Sequence, residues 1–202
     1  MKIKGDALKV LKTFPDEFFD CIITDPPYPH LERHRAVGTT TRLVKDWFPT
    51  LSMEQIGLIF KEAERTLKKN SSIFVFCNGL ALRDMLNTLS KIFEFRQVIV
   101  WDKVYLGLGY HFRNRVEFIL YYSKGNHRPI KNIANVIRFP WKESYRKPYQ
   151  IYKILLETSL DLSKENKVID FFAGSCPLSK ACSFFKNIKC FEVDVNFHEK
   201  TK

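Results

Sequence analysis

Cys21-Ile22-Ile23-Thr24-Asp25-Pro26-Pro27-Tyr28 is a short apolar run that stops on a carboxylate, two prolines and an aromatic ring. Its first four residues read as a buried strand bounded by turn-forming residues. Asp and Pro also favour a plain strand-ending turn, so the last four residues have a purely structural reading. Their chemical reading is more specific. An amino group on a flat heteroaromatic ring is a poor nucleophile because its lone pair is delocalised into the ring. A carboxylate such as Asp25 and a carbonyl such as that of Pro26, each accepting an N–H, pull that lone pair out of conjugation. Pro26 and Pro27 offer carbonyls without a competing N–H and hold the backbone extended. Tyr28, expected to be exposed, gives a flat base a face to stack on.

A second stretch, Val168-Ile169-Asp170-Phe171-Phe172-Ala173-Gly174-Ser175-Cys176, lies near the C-terminus. An apolar run ends in Asp170, a small-residue turn follows, and a helix is expected from Leu178. Strand–turn–helix corners of this kind let nucleotide-like cofactors approach backbone N–H groups. Together the two stretches resemble the S-adenosylmethionine-dependent DNA amino-methyltransferases, which form N6-methyladenine or N4-methylcytosine. The catalytic motif comes first and the cofactor motif last, as in their circularly permuted beta class.

The resemblance extends over nearly the whole chain. Lys4-Gly5-Asp6-Ala7-Leu8 is similar to the family's opening segment, and residues 58–77 to its helix, Arg-x-Leu-Lys turn and following strand. Val100-Trp101-Asp102-Lys103, residues 107–113, Glu117-Phe118-Ile119-Leu120 and Ser123-Lys124-Gly125 match its central hairpin. Lys147-Pro148 heads the helix before the cofactor strand. The resemblance implies an α/β, Rossmann-like methyltransferase fold: a mostly parallel, seven-stranded sheet with one antiparallel strand, helices on both faces, and chain ends close together. It implies one permuted methyltransferase domain over residues 1–202.

It also implies roles. Asp25, Pro26, Pro27 and Tyr28 would be catalytic. S-adenosylmethionine would lie over Phe172, Ala173, Gly174 and Ser175, with Asp6 and Ala7 at its adenine. Asp170, Lys147 and Pro148 would sit at its methionine end, although Asp170 equally suits a helix cap or turn. Asp194 and Glu192 compete for the ribose hydroxyls, and Asp194, which precedes Asn196, fits better. One departure stands out. Where the family usually has a second glycine, this chain has Cys176 followed by Pro177. Cysteine does not adopt positive φ cheaply, so a tighter turn or weaker cofactor binding is expected. Asp in the first motif position tilts the base toward adenine and leaves cytosine open.

Composition agrees with a polyanionic partner. The 202 residues are 45% hydrophobic, enough for one real core, and carry 33 Lys plus Arg against 22 Asp plus Glu, a formal charge of +11. Double-stranded DNA is the expected partner, contacted by Arg33, Arg35 and Arg42 in a long basic loop at 29–50. Lys103, His111 and Arg113, among aromatics at the hairpin tip 102–115, would add to that surface. The five cysteines show no metal-ligand spacing and no paired framework, so no metal and a reducing compartment are expected. The N-terminus is too polar for a signal peptide, and no apolar run nears the ~18 residues of a membrane span. These features point to a cytoplasmic protein. The resemblance adds a homodimer and a restriction–modification setting as options.

Apolar periodicity predicts helices over residues 7–14, 53–69, 80–92, 151–162 and 178–185. Strands are expected at Ile3 and over 21–24, 73–77, 95–101, 116–122, 167–170 and 188–195. Residues 126–149 read as basic and irregular, a segment suited to reading DNA sequence. Three other functions remain: a methyltransferase for RNA or a protein amide, a degenerate DNA-binding module, and another nucleotide-binding α/β protein such as a dehydrogenase. The absence of an N-terminal Gly-x-Gly-x-x-Gly weighs against the last.

Overall fold

Strict alternation along the central strands builds two cores, one on each side of a sheet. In β3 (Leu67–Cys77), Ile73, Val75 and Cys77 face one side, and Phe74 and Phe76 face the other. A strand apolar on both faces belongs in the middle of a covered parallel sheet. The structure, a computed structural model, describes residues 1–29, 50–107, 112–140 and 147–197.

Besides β3, the sheet contains β1 (Lys2–Lys4), β2 (Phe19–Thr24), β4 (Glu94–Asp102), β5 (Val116–Lys124), β6 (Val136–Arg138), β7 (Asn166–Asp170) and β8 (Ile188–Asp194). Their order is β1-β8-β7-β2-β3-β5-β4-β6. Every neighbouring pair is parallel except that β5 runs antiparallel to both β3 and β4. The expected single antiparallel strand is therefore present.

The strand count departs from seven: among the described residues the sheet has eight. The additional strand is β6, inside the segment expected to be irregular. Only Ile137 of its three residues is buried, too short a pattern to register in a periodicity reading. It forms because the edge of β4 has backbone groups to pair, and the Val100 amide donates to the Asn135 carbonyl at 2.8 Å.

Helices α1 (Ala7–Leu11), α2 (Met53–Thr66) and α3 (Leu82–Leu89) cover the Ile73 face. Helices α4 (Tyr149–Ser159) and α5 (Pro177–Cys182) cover the Phe76 face. A capping box between Ser52 and Gln55 starts α2. This helix ends earlier than residue 69 for a definable reason. The carbonyls of Arg65 and Thr66, which a longer helix would need, accept instead from the Glu17 and Phe18 amides at 3.0 and 2.7 Å. Leu67 is already extended and pairs with Phe19.

Two connections position the site. From β2 the chain passes through α2 on one face, whereas from the adjacent β7 it passes through α5 on the other. Adjacent parallel strands whose chains depart to opposite faces open a crevice at their carboxyl ends, the usual ligand position in open α/β sheets. Both stretches that opened the sequence analysis end there. The first strand lies beside the last, with the Met1 amino group donating to the Cys190 carbonyl at 2.5 Å. Among the described residues no helix is long and apolar enough to cross a membrane.

Phe60 of α2 is fully buried and meets the Phe171 ring edge-on at 5.3 Å between centroids. Phe60→Ala is expected to cost about 3–5 kcal/mol, read as a lower urea midpoint by circular dichroism.

Candidate active site

The ends of β2 and β7 are tied by a single side-chain bond. The Thr24 hydroxyl donates to Asp170 Oδ1 at 2.8 Å, and the Phe172 amide donates to the same oxygen at 3.0 Å. Asp170 is buried, and its Oδ2 has no partner among the described residues. Loss of water pushes its pKa well above the usual carboxylate range, which the two donors only partly offset. A buried carboxylate oxygen without a donor is costly, so its place at the mouth of a crevice suits a cationic ligand group.

The turn after Asp170 is closed from below. The Ala173 amide donates to the Val193 carbonyl at 3.0 Å, and the Gly174 amide donates to Asp194 Oδ2 at 2.7 Å. Gly174 has φ +48°, and Phe172 and Ser175 are half-buried along the same turn. Asp194 also accepts from the Asn196 amide at 2.8 Å, and its carbonyl accepts from Gly5 at 3.0 Å. Asp6 is thereby brought beside the corner, where it caps α1 through the Lys9 amide at 3.0 Å, with Ala7 buried behind it. Glu192 plays a different part. It is buried and accepts from the Ser179 amide of α5 at 2.8 Å. Asp194 is therefore the acid at the turn.

Cys176 does adopt the left-handed conformation, at φ 60° and ψ 50°. It is the turn residue that releases the chain into α5, and Pro177 follows at the first helical position, where a missing N–H costs nothing. A non-glycine residue in this conformation stores backbone strain.

At the end of β2, the Asp25 side chain is about a third exposed (32%). Tyr28 departs from expectation. It is buried, 6% exposed, and packs into the core on the α2 face instead of projecting from the strand end. Its backbone folds it inward: the Tyr28 amide donates to the Pro26 carbonyl at 2.9 Å, while the Pro27 carbonyl accepts from Leu51 at 2.7 Å. The Pro26 carbonyl thus has one of its two acceptor sites in use.

Lys147, expected at a cofactor's methionine end, lies against two carboxylates. Its ammonium is 3.0 Å from Asp25 Oδ2 and 2.7 Å from Glu117 Oε2, over the Phe76 ring at 4.5 Å. Glu117 Oε1 is 2.6 Å from Lys103 Nζ. Enclosure raises the Asp25 pKa, and Lys147 pulls it back down. Enclosure also acts on Glu117, but Lys147 and Lys103 outweigh it and hold that pKa at about 2. Pro148 provides the N-cap position of α4, its carbonyl accepting from Ile151 at 3.1 Å.

At the hairpin, Lys103 turns inward to Glu117, with its ammonium 5.4 Å from the Trp101 ring centre, instead of projecting outward. Arg113 is exposed and donates to the Gly107 and Leu106 carbonyls at 3.0 and 3.3 Å, which shapes the tip. Arg115 grips Asp102 with two bonds of 2.7 and 2.8 Å. Arg33, Arg35, Arg42 and His111 lie outside the described residues. Among the described residues no group of His, Cys, Asp or Glu could hold a metal ion.

Sequence reasoning missed Thr24 and Glu117 as site residues. Glu117 left a signal, since it is an acid directly ahead of an apolar run, Phe118–Tyr122. Thr24 left none, because its hydroxyl partner is 146 residues away.

Residues 19–158 match the family model described as DNA methylase. The chain is 30% identical over 101 residues to the DNA adenine methyltransferase YhdJ of Escherichia coli K12. That match spans 50% of this chain and about a third (32%) of the relative's length. Among solved structures, TTHA0409 of Thermus thermophilus in complex with S-adenosyl-L-methionine superposes with a TM-score of 0.71 at 18% identity, over 96% of this chain and 87% of that one. The cytosine-N4-specific PvuII DNA methyltransferase gives 0.71 at 15% identity, over 96% and 81%. The M1.HpyAVI–SAM complex gives 0.68 at 16% identity, over 99% and 93%. At these identities the structural likenesses establish the fold.

The strain at Cys176 has a measurable consequence. Cys176→Val keeps a buried apolar side chain but is β-branched, and is expected to destabilise by about 1–2 kcal/mol. Cys176→Gly, which trades a small thiol for a relaxed φ, is expected to change stability little. Thermal melts of the two variants make the comparison.

Proposed function

The chain belongs to the DNA methylase family, and from that premise we propose that it transfers a methyl group from S-adenosylmethionine to the N6 amino group of an adenine flipped out of double-stranded DNA. The observation that carries this reading is the junction at the sheet crevice. There the Asp25 strand and the Asp170 strand lie side by side, joined through Thr24. A nucleophile-activating carboxylate and a corner for a cationic nucleoside thus share one opening.

The residues present fit the cofactor. The unpartnered Oδ2 of Asp170 would take its ammonium, Asp194 its ribose hydroxyls and Asp6 its adenine amino group, with Phe172, Ala173 and Gly174 beneath. When bound, S-adenosylmethionine supplies a methyl group made electrophilic by the sulfonium. The chain's own part is to make the amine nucleophilic. Asp25 accepts one N–H and the remaining acceptor site of the Pro26 carbonyl the other, which localises the lone pair on nitrogen. Positioning and fixed charge do this without a covalent intermediate. Tyr28, being buried, would form part of the pocket wall and hold Pro26 in place through its amide.

Adenine is favoured by Asp25 in the first motif position and by the similarity to a relative named as an adenine methyltransferase. Cytosine N4 is the second reading, because the PvuII enzyme shares the fold. The proposal extends to intracellular DNA as the partner, bound by a homodimer.

Incubation with labelled S-adenosylmethionine and unmethylated duplex DNA, then mass spectrometry of the nucleosides, tests the reaction. N6-methyladenine from the wild type and none from Asp25→Ala is the expected result. N4-methylcytosine alone would overturn the base, and no methylated nucleoside would overturn the function. Asp170→Asn probes the cofactor corner. The wild-type carboxylate has a raised pKa when folded, so its stability contribution improves as pH falls through that pKa. The variant is expected to melt higher near neutral pH without cofactor, to lose that pH dependence, and to bind S-adenosylmethionine more weakly by calorimetry.

A further inference from the structure

Four charged side chains alternate across the mouth of the site: Asp25, Lys147, Glu117 and Lys103, linked at 3.0, 2.7 and 2.6 Å. They come from four different places, namely the residue after β2, the residue before the Pro148 cap of α4, the start of β5 and the residue after β4. Their side chains are 32, 16, 21 and 19% exposed, so each is substantially withdrawn from water. Sheltered charges are tolerated only when compensated, and two acids against two lysines sum to zero.

The two carboxylates are not equivalent. Glu117 is gripped from both sides, one oxygen by each lysine, whereas Asp25 holds Lys147 through one oxygen and at the longer distance. Lys147 is further fixed over the Phe76 ring, between the two acids. An incoming amino group needs Asp25 as an acceptor, and Lys147 competes for it. Glu117 offers that ammonium a second carboxylate within reach, so its charge stays compensated while Asp25 is engaged.

We propose that Glu117, braced by Lys103, is a positioning residue that shares Lys147 with Asp25 and takes up its ammonium when an amino substrate claims the Asp25 carboxylate. This rests on the methyl-transfer reading for its purpose, but the charge sharing is measurable without activity. The other groups facing Asp25 are Tyr28 in its own loop, Cys77 on β3, Asp170 on β7 and Tyr152 on α4. Burial raises Cys77 to about 12 and also raises the two tyrosines, so none of these three ionises near neutral pH. Asp170 is likewise displaced upward.

The sign of the effect differs between the two partners of Asp25. Lys147 favours its ionised form and Glu117 disfavours it. In Lys147→Met the Asp25 carboxyl is expected to titrate at higher pH than in the wild type, and in Glu117→Gln at lower pH. Both titrations are read by 13C NMR of aspartate-labelled protein, with circular dichroism confirming the fold. In methyl transfer, the acid limb of the pH–rate profile should move the same way as each titration. Glu117→Gln should lower kcat at least tenfold, because Lys147 is left with Asp25 alone, and Glu117→Asp should restore much of it.

A purely structural Glu117 would lower activity without opposite displacements. Unmoved titrations, or wild-type kcat in Glu117→Gln, would overturn the proposal. If Glu117→Gln does not fold, Lys103→Met replaces it, and Glu117 must then titrate at higher pH than in the wild type, because one of the two lysines that hold its pKa down is gone; an unchanged value overturns the bracing. Opposite shifts in the two variants, with a wild type that methylates no DNA, would uphold the network and defeat the methylation reading.

Discussion

The Thr24 hydroxyl on Asp170 Oδ1, at 2.8 Å, is the bond on which the site's geometry depends. It joins two strands that lie side by side but whose connections leave on opposite faces of the sheet. Divergent connections open a crevice, and without a fastening the two strand ends would be positioned only by backbone pairing further down. The ladder between β2 and β7 registers Cys21 with Val168 and Ile22 with Ile169. Beyond Ile22 the strands need another link, and Thr24 is the last residue of β2 able to supply it. Because Asp25 follows immediately, the acid expected to face the target and the acid expected to face the cofactor are positioned by one contact.

That contact also determines which oxygen of Asp170 is left over. Both donors, Thr24 and the Phe172 amide, go to Oδ1, so the buried Oδ2 is left without a partner. The protein therefore keeps an uncompensated acceptor at the crevice, the opposite of the treatment given to Asp25 and Glu117, where lysines neutralise the charge. On the proposed roles, an acid that works on a neutral amine can be compensated internally, whereas an acid meant for a cation is better left without an internal partner. The two solutions sit on neighbouring strands.

Much of this was legible in sequence because strand-ending motifs are local. Asp25 and Asp170 each follow an apolar run, and runs buried on both faces specify central parallel strands. The antiparallel strand and the two-sided helix cover also followed from pattern and family resemblance. What was not legible depended on partners distant in the chain. The end of α2 at Thr66 is imposed by amides of Glu17 and Phe18, and β6 exists only because the β4 edge can pair with it. Tyr28 reads as an exposed stacking platform until its amide is seen turned back onto Pro26. The pairing of Lys147 with Glu117, which comes from the other half of the sheet, had no signal in the sequence.

The distribution of charge separates two roles that the net value merges. Asp6, Asp25, Glu117, Asp170, Glu192 and Asp194 gather at one end of the sheet, where Lys147 and Lys103 are cations engaged with them. Removing so many acids from the rest of the molecule makes the remaining surface more basic than the formal charge of +11 indicates. A basic exterior attracts a polyanion at long range, within about a Debye length of its surface. An acidic crevice acts at contact distance on a small cation. Gathering these acids at one end of the sheet keeps a short-range acidic field apart from the net positive charge of the chain as a whole.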